Sequence, residues 1–391
     1  MQKRKNAPSM VPILITLVFF ATNMSYLPRF TVMGVTQYIS YPAWGGLILL
    51  MLLRKQGRML PKQAFVEFSS LFLCIMLLLF YTLTLKNEYF NTGFIRCVMV
   101  SMFVYVMGMF VKAEGSICNK TDYFLRAFVL STIILNIAIY FEYLQGQDLA
   151  SEMYSYVSKN ETAFLNITAI IILLFSDAFG EKKGIRLIFY TLGITMFSLM
   201  IALMRCRSML VCIPIVFGFF LIRSKVSKKL KAVLILVLLG VAGLLLLNEQ
   251  LFNTFVYGIL FGGREATDLD SLSSGRISII ETALDIFGQH PWTGVGKSFT
   301  VDCMFVSVLM KYGLIVGTVF IFMSIYPLIW GMYRFKQYEN DTLFWVFFLC
   351  GIAYIFGGFF EENAPFGPGV RCYMLWFLFG YLQTERTNYI Q

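Results

Sequence analysis

Apolar runs long enough to cross a bilayer recur along nearly the whole chain, separated by short polar stretches. At about 20 apolar residues per crossing, the pattern predicts about twelve spans, near 9–28, 32–53, 64–85, 94–112, 123–144, 162–180, 187–204, 208–222, 232–252, 313–330, 342–360 and 372–384. The last is short, and Met204 to Ser208 joins two runs through a very tight turn. Two longer polar segments interrupt the series, 145–161 and 253–312. Within the second, Ile277, Ile280, Leu284 and Phe287 recur at helical spacing and predict an amphipathic helix over Leu272–Phe287. Ser273 or Ser274 is placed to cap it, Gly288 to end it and Pro291 to block its continuation. After a glycine-rich turn, Met304, Phe305, Val308, Leu309 and Tyr312 mark a second short helix leading into the span at Leu314. The expectation is an all-α polytopic integral membrane protein with about 12 transmembrane helices. Helices 1–9 fill 1–252, a large extracytoplasmic loop with short outer-face helices fills 253–312, and the last three spans and a tail fill 313–391.

Composition agrees with the pattern. Of 391 residues, 58% are hydrophobic and 14% charged, against about a quarter charged in soluble domains, and the mean hydropathy is +0.72. The basic stretch Met1–Ala7 precedes an apolar run that continues to Leu27 without a small-residue cleavage site, so it reads as a span rather than a cleaved signal. A net charge of +10 raises nucleic acid as a partner, but the Lys and Arg residues cluster in short loops. With the N-terminus inside, about 20 of the 32 fall on the cytoplasmic side, as the positive-inside bias requires. Both termini are then cytoplasmic and the loop 253–312 faces out. No CxxC pair occurs among eight cysteines, which read as apolar packing residues, and a single histidine argues against a His-based metal site. No metal, no cofactor and no nucleic-acid partner is expected; the lipid bilayer is.

Candidate chemistry gathers at the outward ends. Arg276 follows Gly275 at the start of the first outer helix, where a helix N-terminus and a guanidinium together favour an anionic oxygen; a lipid-headgroup contact explains it equally. Arg205 and Arg207 sit between two apolar runs with no loop to solvate them, which suits a diphosphate clamp or arginines snorkelling to headgroups. Lys159 and Asn160 stand at the outer end of a span, Asn160 as a cap or as a donor to the same pocket. His290 lies before Pro291 in a turn loosened by Gly294 and Gly296, followed by Lys297. Asp302 caps the second outer helix or, ionised beside arginines, deprotonates a sugar hydroxyl. Glu361, Glu362 and Arg371, in the last outer loop, form either a solvated loop or the rim of a substrate groove.

The order of these pieces resembles the Wzy-type polysaccharide polymerase and O-antigen ligase superfamily of membrane glycosyltransferases. The resemblance rests on a GR pair followed by an ALxxF helix (Gly275, Arg276, Ala283, Leu284, Phe287) and on PxxGVGxxF (Pro291, Gly294, Val295, Gly296, Phe299). It also rests on KYGLIVG (Lys311 to Gly317), on KNxTA (Lys159, Asn160, Thr162, Ala163) and on the RS pair Arg207–Ser208. It implies a bacterial cytoplasmic-membrane enzyme that uses undecaprenyl-diphosphate-linked oligosaccharide as donor and acceptor, with a flippase and a chain-length regulator as candidate partners. In the ligases the helix before the YG turn begins with a His-Asn pair; this chain has Asp302 and Cys303 there. That departure favours a capsular or O-antigen polymerase over a ligase, and it separates His290 from the ligase histidine. On this expectation Arg207 and Arg276 hold the diphosphate, Arg205 and Lys159 support them, and Asp302 is the candidate base. Asn160, His290, Lys297, Glu361 and Arg371 line the substrate site. A transporter or lipid-linked oligosaccharide flippase also fits the span count, but the chain shows no two-halves symmetry and no long central cytoplasmic loop.

Overall fold

A computed structural model describes residues 11–54, 65–85, 89–113, 121–145, 159–180, 184–223, 247–251, 253, 270, 275–296, 301–362, 365–367 and 371–384. Among them every regular element is helical. The chain runs through α1 (Val11–Met24), α2 (Pro28–Val32), α3 (Thr36–Arg54), α4 (Phe65–Leu85), α5 (Thr92–Ala113) and α6 (Thr121–Ile139), which ends in a π-helical turn. It continues through α7 (Lys159–Phe175), α8 (Ile185–Leu203), α9 (Arg207–Arg223), α10 (Arg276–Gln289), α11 (Met304–Tyr338), α12 (Thr342–Gly357) and α13 (Tyr373–Gln383). Five of the described helices are long and apolar enough to cross a membrane: Phe65–Leu85, Thr92–Lys112, Asp122–Glu142, Ile185–Leu203 and Met304–Tyr338. The predicted span 232–252 lies outside the described residues apart from its last turn.

Helix boundaries follow local chemistry. The first predicted span breaks at Met24 because Pro28 disfavours helical backbone at Leu27, whose ψ of 142° is extended. α7 is mostly apolar from Thr162 to Phe175 and buried along that whole length, its polar Thr162, Asn166 and Thr168 included, the pattern of a helix enclosed by others. Polar pairs fasten these neighbours where lipid offers no hydrogen bonds. Asn23 on α1 donates to Ser131 at 2.7 Å on α6 and accepts from Tyr373 at 2.8 Å on α13. Asn136 bonds Asn166 between α6 and α7 at 2.6 Å, and Thr168 meets Tyr354 between α7 and α12. α5 and α13 approach through Gly108 and Gly380; a methyl group at either glycine would overlap the backbone carbonyl of Phe377 or of Tyr105.

α11 is really two helices. At Gly313 the backbone leaves helical geometry (φ 68°, ψ −176°), so Met304–Tyr312 forms the predicted outer helix and the rest a long apolar one. Such a break strands carbonyls and an amide in an apolar setting, where each needs another partner. The Pro291–Gly296 turn supplies all three. Val295 N–H donates to Met310 O at 3.0 Å, Gly296 N–H to Lys311 O at 2.8 Å, and Leu314 N–H to Pro291 O at 2.8 Å. Gly294 and Gly313 face each other across the seam, both with positive φ, and Tyr89 O–H fixes the turn by donating to Gly294 O at 3.0 Å.

Candidate functional site

Three cations open three helices: Lys159 begins α7, Arg207 begins α9 and Arg276 begins α10. A positive side chain at a helix N-terminus opposes the macrodipole, whose positive end lies there. Finding it three times means that local helix stability does not explain the choice; together these ends add up to a concentrated positive field. Arg205 adds to them from the tight turn before α9. It is the one described non-glycine residue with positive φ, 53°, a conformation sparsely populated because Cβ crowds the backbone. Arg205, buried with Cys206 at its side, acts on Lys159 at the N-terminal end of α7.

Lys159 feels the fields of the three arginines. Lys159, which precedes the apolar run of α7, has its pKa lowered first by burial and then by Arg207, Arg205 and Arg276, with Cys206 opposing them. Sequence alone left open whether these residues converge. In the structure Arg205, Arg207 and Arg276 each act electrostatically on Lys159, which makes the four a candidate cluster.

Carboxylates border it. Arg276 and Asp302 pair at 3.3 Å across the gap between α10 and α11. Asp302 is therefore not the helix cap that its position suggests; Cys303 occupies the N-cap without a side-chain bond. Nor does Asn160 cap α7: its amide donates to Glu361. Burial pushes the Glu361 carboxyl above the usual carboxylate range, Glu161 and Asp302 add to the rise, and Arg371 and Arg276 oppose it. Arg371 is not on a rim. Its side chain is 1% exposed, held 3.5 Å from Glu361 and 3.7 Å from Glu161, with the guanidinium 4.5 Å over the Phe164 ring. It is a buried post that ties Glu361 to Glu161 on α7. Lys311, also buried, pairs with Glu362, which accepts from Ser307 Oγ at 3.3 Å.

Gly275 (φ 77°) is the N-cap of α10, and the cap acceptor is the Asp270 carboxylate, 3.0 Å from Ser278 N. Ser273, Ser274 and Lys297 lie outside the described residues. His290 closes α10 as its C-cap and is exposed; no described contact ties its ring to the cluster. Glu161, Lys311 and Asp270 carry contacts that the sequence did not single out. Glu161 was legible only as a neighbour of Lys159 and Asn160, since its partner is far along the chain. Among the described residues no three His, Cys, Asp or Glu side chains gather as a metal site.

A cluster that concentrates positive charge, bordered by carboxylates at the ends of apolar helices, suits an anionic lipid-linked substrate. A search of curated proteins found no match. Residues 191–305 match the family model described as O-antigen ligase, a stretch that takes in Arg205, Arg207, Arg276, His290 and Asp302 but neither Lys159 nor the 361–371 loop. That stretch is thus similar to the O-antigen ligase family, and the similarity is consistent with the ligase/polymerase superfamily and supports a polysaccharide-related role.

Proposed function

We propose that the protein is a polysaccharide polymerase, joining undecaprenyl-diphosphate-linked oligosaccharide repeats at the outer face of the bacterial cytoplasmic membrane. The observation that carries the reading is the convergence of Lys159, Arg205, Arg207 and Arg276, three of them at helix starts. Such an array stabilises charge that grows as a diphosphate departs. An acceptor sugar hydroxyl attacks the anomeric carbon of the donor, the bond from that carbon to the diphosphate oxygen breaks, and the hydroxyl proton passes to a carboxylate. The diphosphate leaves unprotonated because the cations hold its charge.

Asp302, the more exposed carboxylate and one ion pair from Arg276, is the proposed base. Glu361 is the second candidate, because burial raises its proton affinity above that of an ordinary carboxylate, the direction a general base calls for. The two part in a pH–rate profile: the acid limb disappears in whichever of Asp302→Asn and Glu361→Gln removes the base. Asn160 and Arg371 position Glu361, and His290 and Lys297 are assigned to substrate binding on the resemblance alone. The Asp302–Cys303 pair at the head of α11, where the ligases carry His-Asn, favours polymerase over ligase.

The test is the size distribution of lipid-linked and surface glycan in the native host. Removing the gene is expected to leave single repeats, and Arg276→Ala at normal protein level to do the same. Full-length polymer from Arg276→Ala would exclude the clamp. Long chains that stay on the lipid carrier after gene removal would make the protein a ligase, and repeats trapped on the cytoplasmic face would make it a flippase.

A further inference from the structure

At the opposite end of α11 from the cation cluster, a cleft of about 480 Å³ opens beside the end of α13. Its size falls among ordinary small-ligand sites, about 300–1,000 Å³. From Leu314 to Arg334 the helix climbs about 30 Å at 1.5 Å per residue, one hydrocarbon thickness. The cleft therefore sits at the other membrane boundary, the cytoplasmic one when the cluster faces out.

The lining is graded along the helix. Tyr326, Ile329 and Trp330 form the deeper wall, and Arg334, Tyr338 and Gln383 the end nearer water. Arg334 commits one N–H to Gln337 Oε1 at 2.8 Å; a guanidinium has five to give. Gln383 is nine-tenths buried and accepts from Tyr105 O–H through its carbonyl, so its remaining polar group on the cleft wall is the donating amide. Alongside, Met332 and Tyr333 are exposed, Tyr333 by 82%, and no described element covers that face.

The geometry points to a binding site for one anionic phospholipid of the cytoplasmic leaflet, its phosphate on Arg334 and an acyl chain along Ile329 and Trp330. Charge complementarity argues for this occupant. A polyprenyl tail would bring no anion to Arg334, and a free phosphate would leave the aromatic wall unfilled. A phospholipid brings both parts in the order in which the cleft presents them, and basic pockets between helices at this leaflet match acidic headgroups. Interfacial Trp and Tyr belong at the same depth. The inference is independent of the reaction at the other face, because its readout is lipid and not glycan.

The test is native mass spectrometry of the full-length protein in detergent, titrated with phosphatidylglycerol or phosphatidylcholine. Wild type is expected to hold one phosphatidylglycerol, preferred about tenfold over phosphatidylcholine, whose quaternary ammonium offsets the charge of the same phosphate and so offers Arg334 no net anion. Arg334→Gln should lose that preference, Arg334→Lys should recover part of it, and Lys336→Gln, a cation at the same end of the helix but outside the cleft, should keep it. Unchanged thermal midpoints across the variants would show that folding is not the variable. Equal binding of the two lipids, undiminished phosphatidylglycerol binding by Arg334→Gln, or full competition by inorganic phosphate would each overturn the assignment.

Discussion

Replacing Gly313 by alanine tests whether the Pro291–Gly296 turn repairs the break in α11. A Cβ at Gly313 would stand 2.5 Å from Thr293 N and closer still to the Trp292 carbonyl, so the turn has to lift away. The backbone at φ 68°, ψ −176° is a region that only glycine enters freely, worth about 1–3 kcal/mol to any other residue. Lifting the turn also opens its three hydrogen bonds to Met310, Lys311 and Leu314; at about 1 kcal/mol each, more where the stranded group stays dry, they add at least about 3 kcal/mol. The combined loss of about 4–6 kcal/mol is a large part of the 5–15 kcal/mol typical of a folded domain. Thermal unfolding of the purified protein in detergent should show a midpoint lower by on the order of 10 °C. Gly218→Ala is the matched control: it lies inside α9 with nothing within 4 Å of the added methyl, and it should be neutral or slightly stabilising. A Gly313→Ala midpoint within a degree or two of that control would refute the interlock.

Arg205→Gly removes the guanidinium and the strain of positive φ together; stability should change by less than about 1 kcal/mol while polymer synthesis in membranes is lost, and a large fall in unfolding midpoint would assign Arg205 to packing. Because the Lys159 pKa is lowered, the folded state gains stability as pH rises through that value toward the 10.5 of an ordinary lysine. Diphosphate binding, which favours the charged form, should weaken on an alkaline limb below that pH, and Lys159→Arg should move the limb upward in a donor-binding titration. Glu361, raised above the usual carboxylate range, contributes stability that is present at low pH and lost as pH rises through its folded value; Glu361→Gln should flatten that part of the pH–midpoint curve. Gly380→Val, forced against the Tyr105 carbonyl, should separate α5 from α13 and lower the midpoint by several degrees, with no loss expected from Gly45→Val, whose site is open.

Helices were legible where periodicity is local. Ile277, Ile280, Leu284 and Phe287 announce α10 to within a few residues, and the short helix before Gly313 follows from Met304 to Tyr312 because the YG pair ends it. The candidate cations were legible by type and place: an arginine with no loop around it, or at a helix start, stands out against an apolar chain. Partners were not. Glu161 meets Arg371, and Asn160 meets Glu361, across about 200 residues of sequence, and nothing in either local pattern encodes the pairing. The caps failed for the same reason. Asp302 has the right residue type but stands one residue before the N-cap, Cys303, and its carboxylate pairs with a guanidinium on another helix instead. Arg371 looked like a loop residue because its neighbours are Gly and Pro, and only the packing of Phe164 and Gly367 around it reveals a buried post.

The seam between Gly294 and Gly313 also bears on how this sequence can change through descent. A methyl group added at Gly294 would stand 2.6 Å from Gly313 N and from Lys311 O, so each glycine is held in place by the backbone of the other's segment. Neither can drift alone. Losing one removes the reason for the other, and the two should be inherited and discarded as a unit, along with the break in α11.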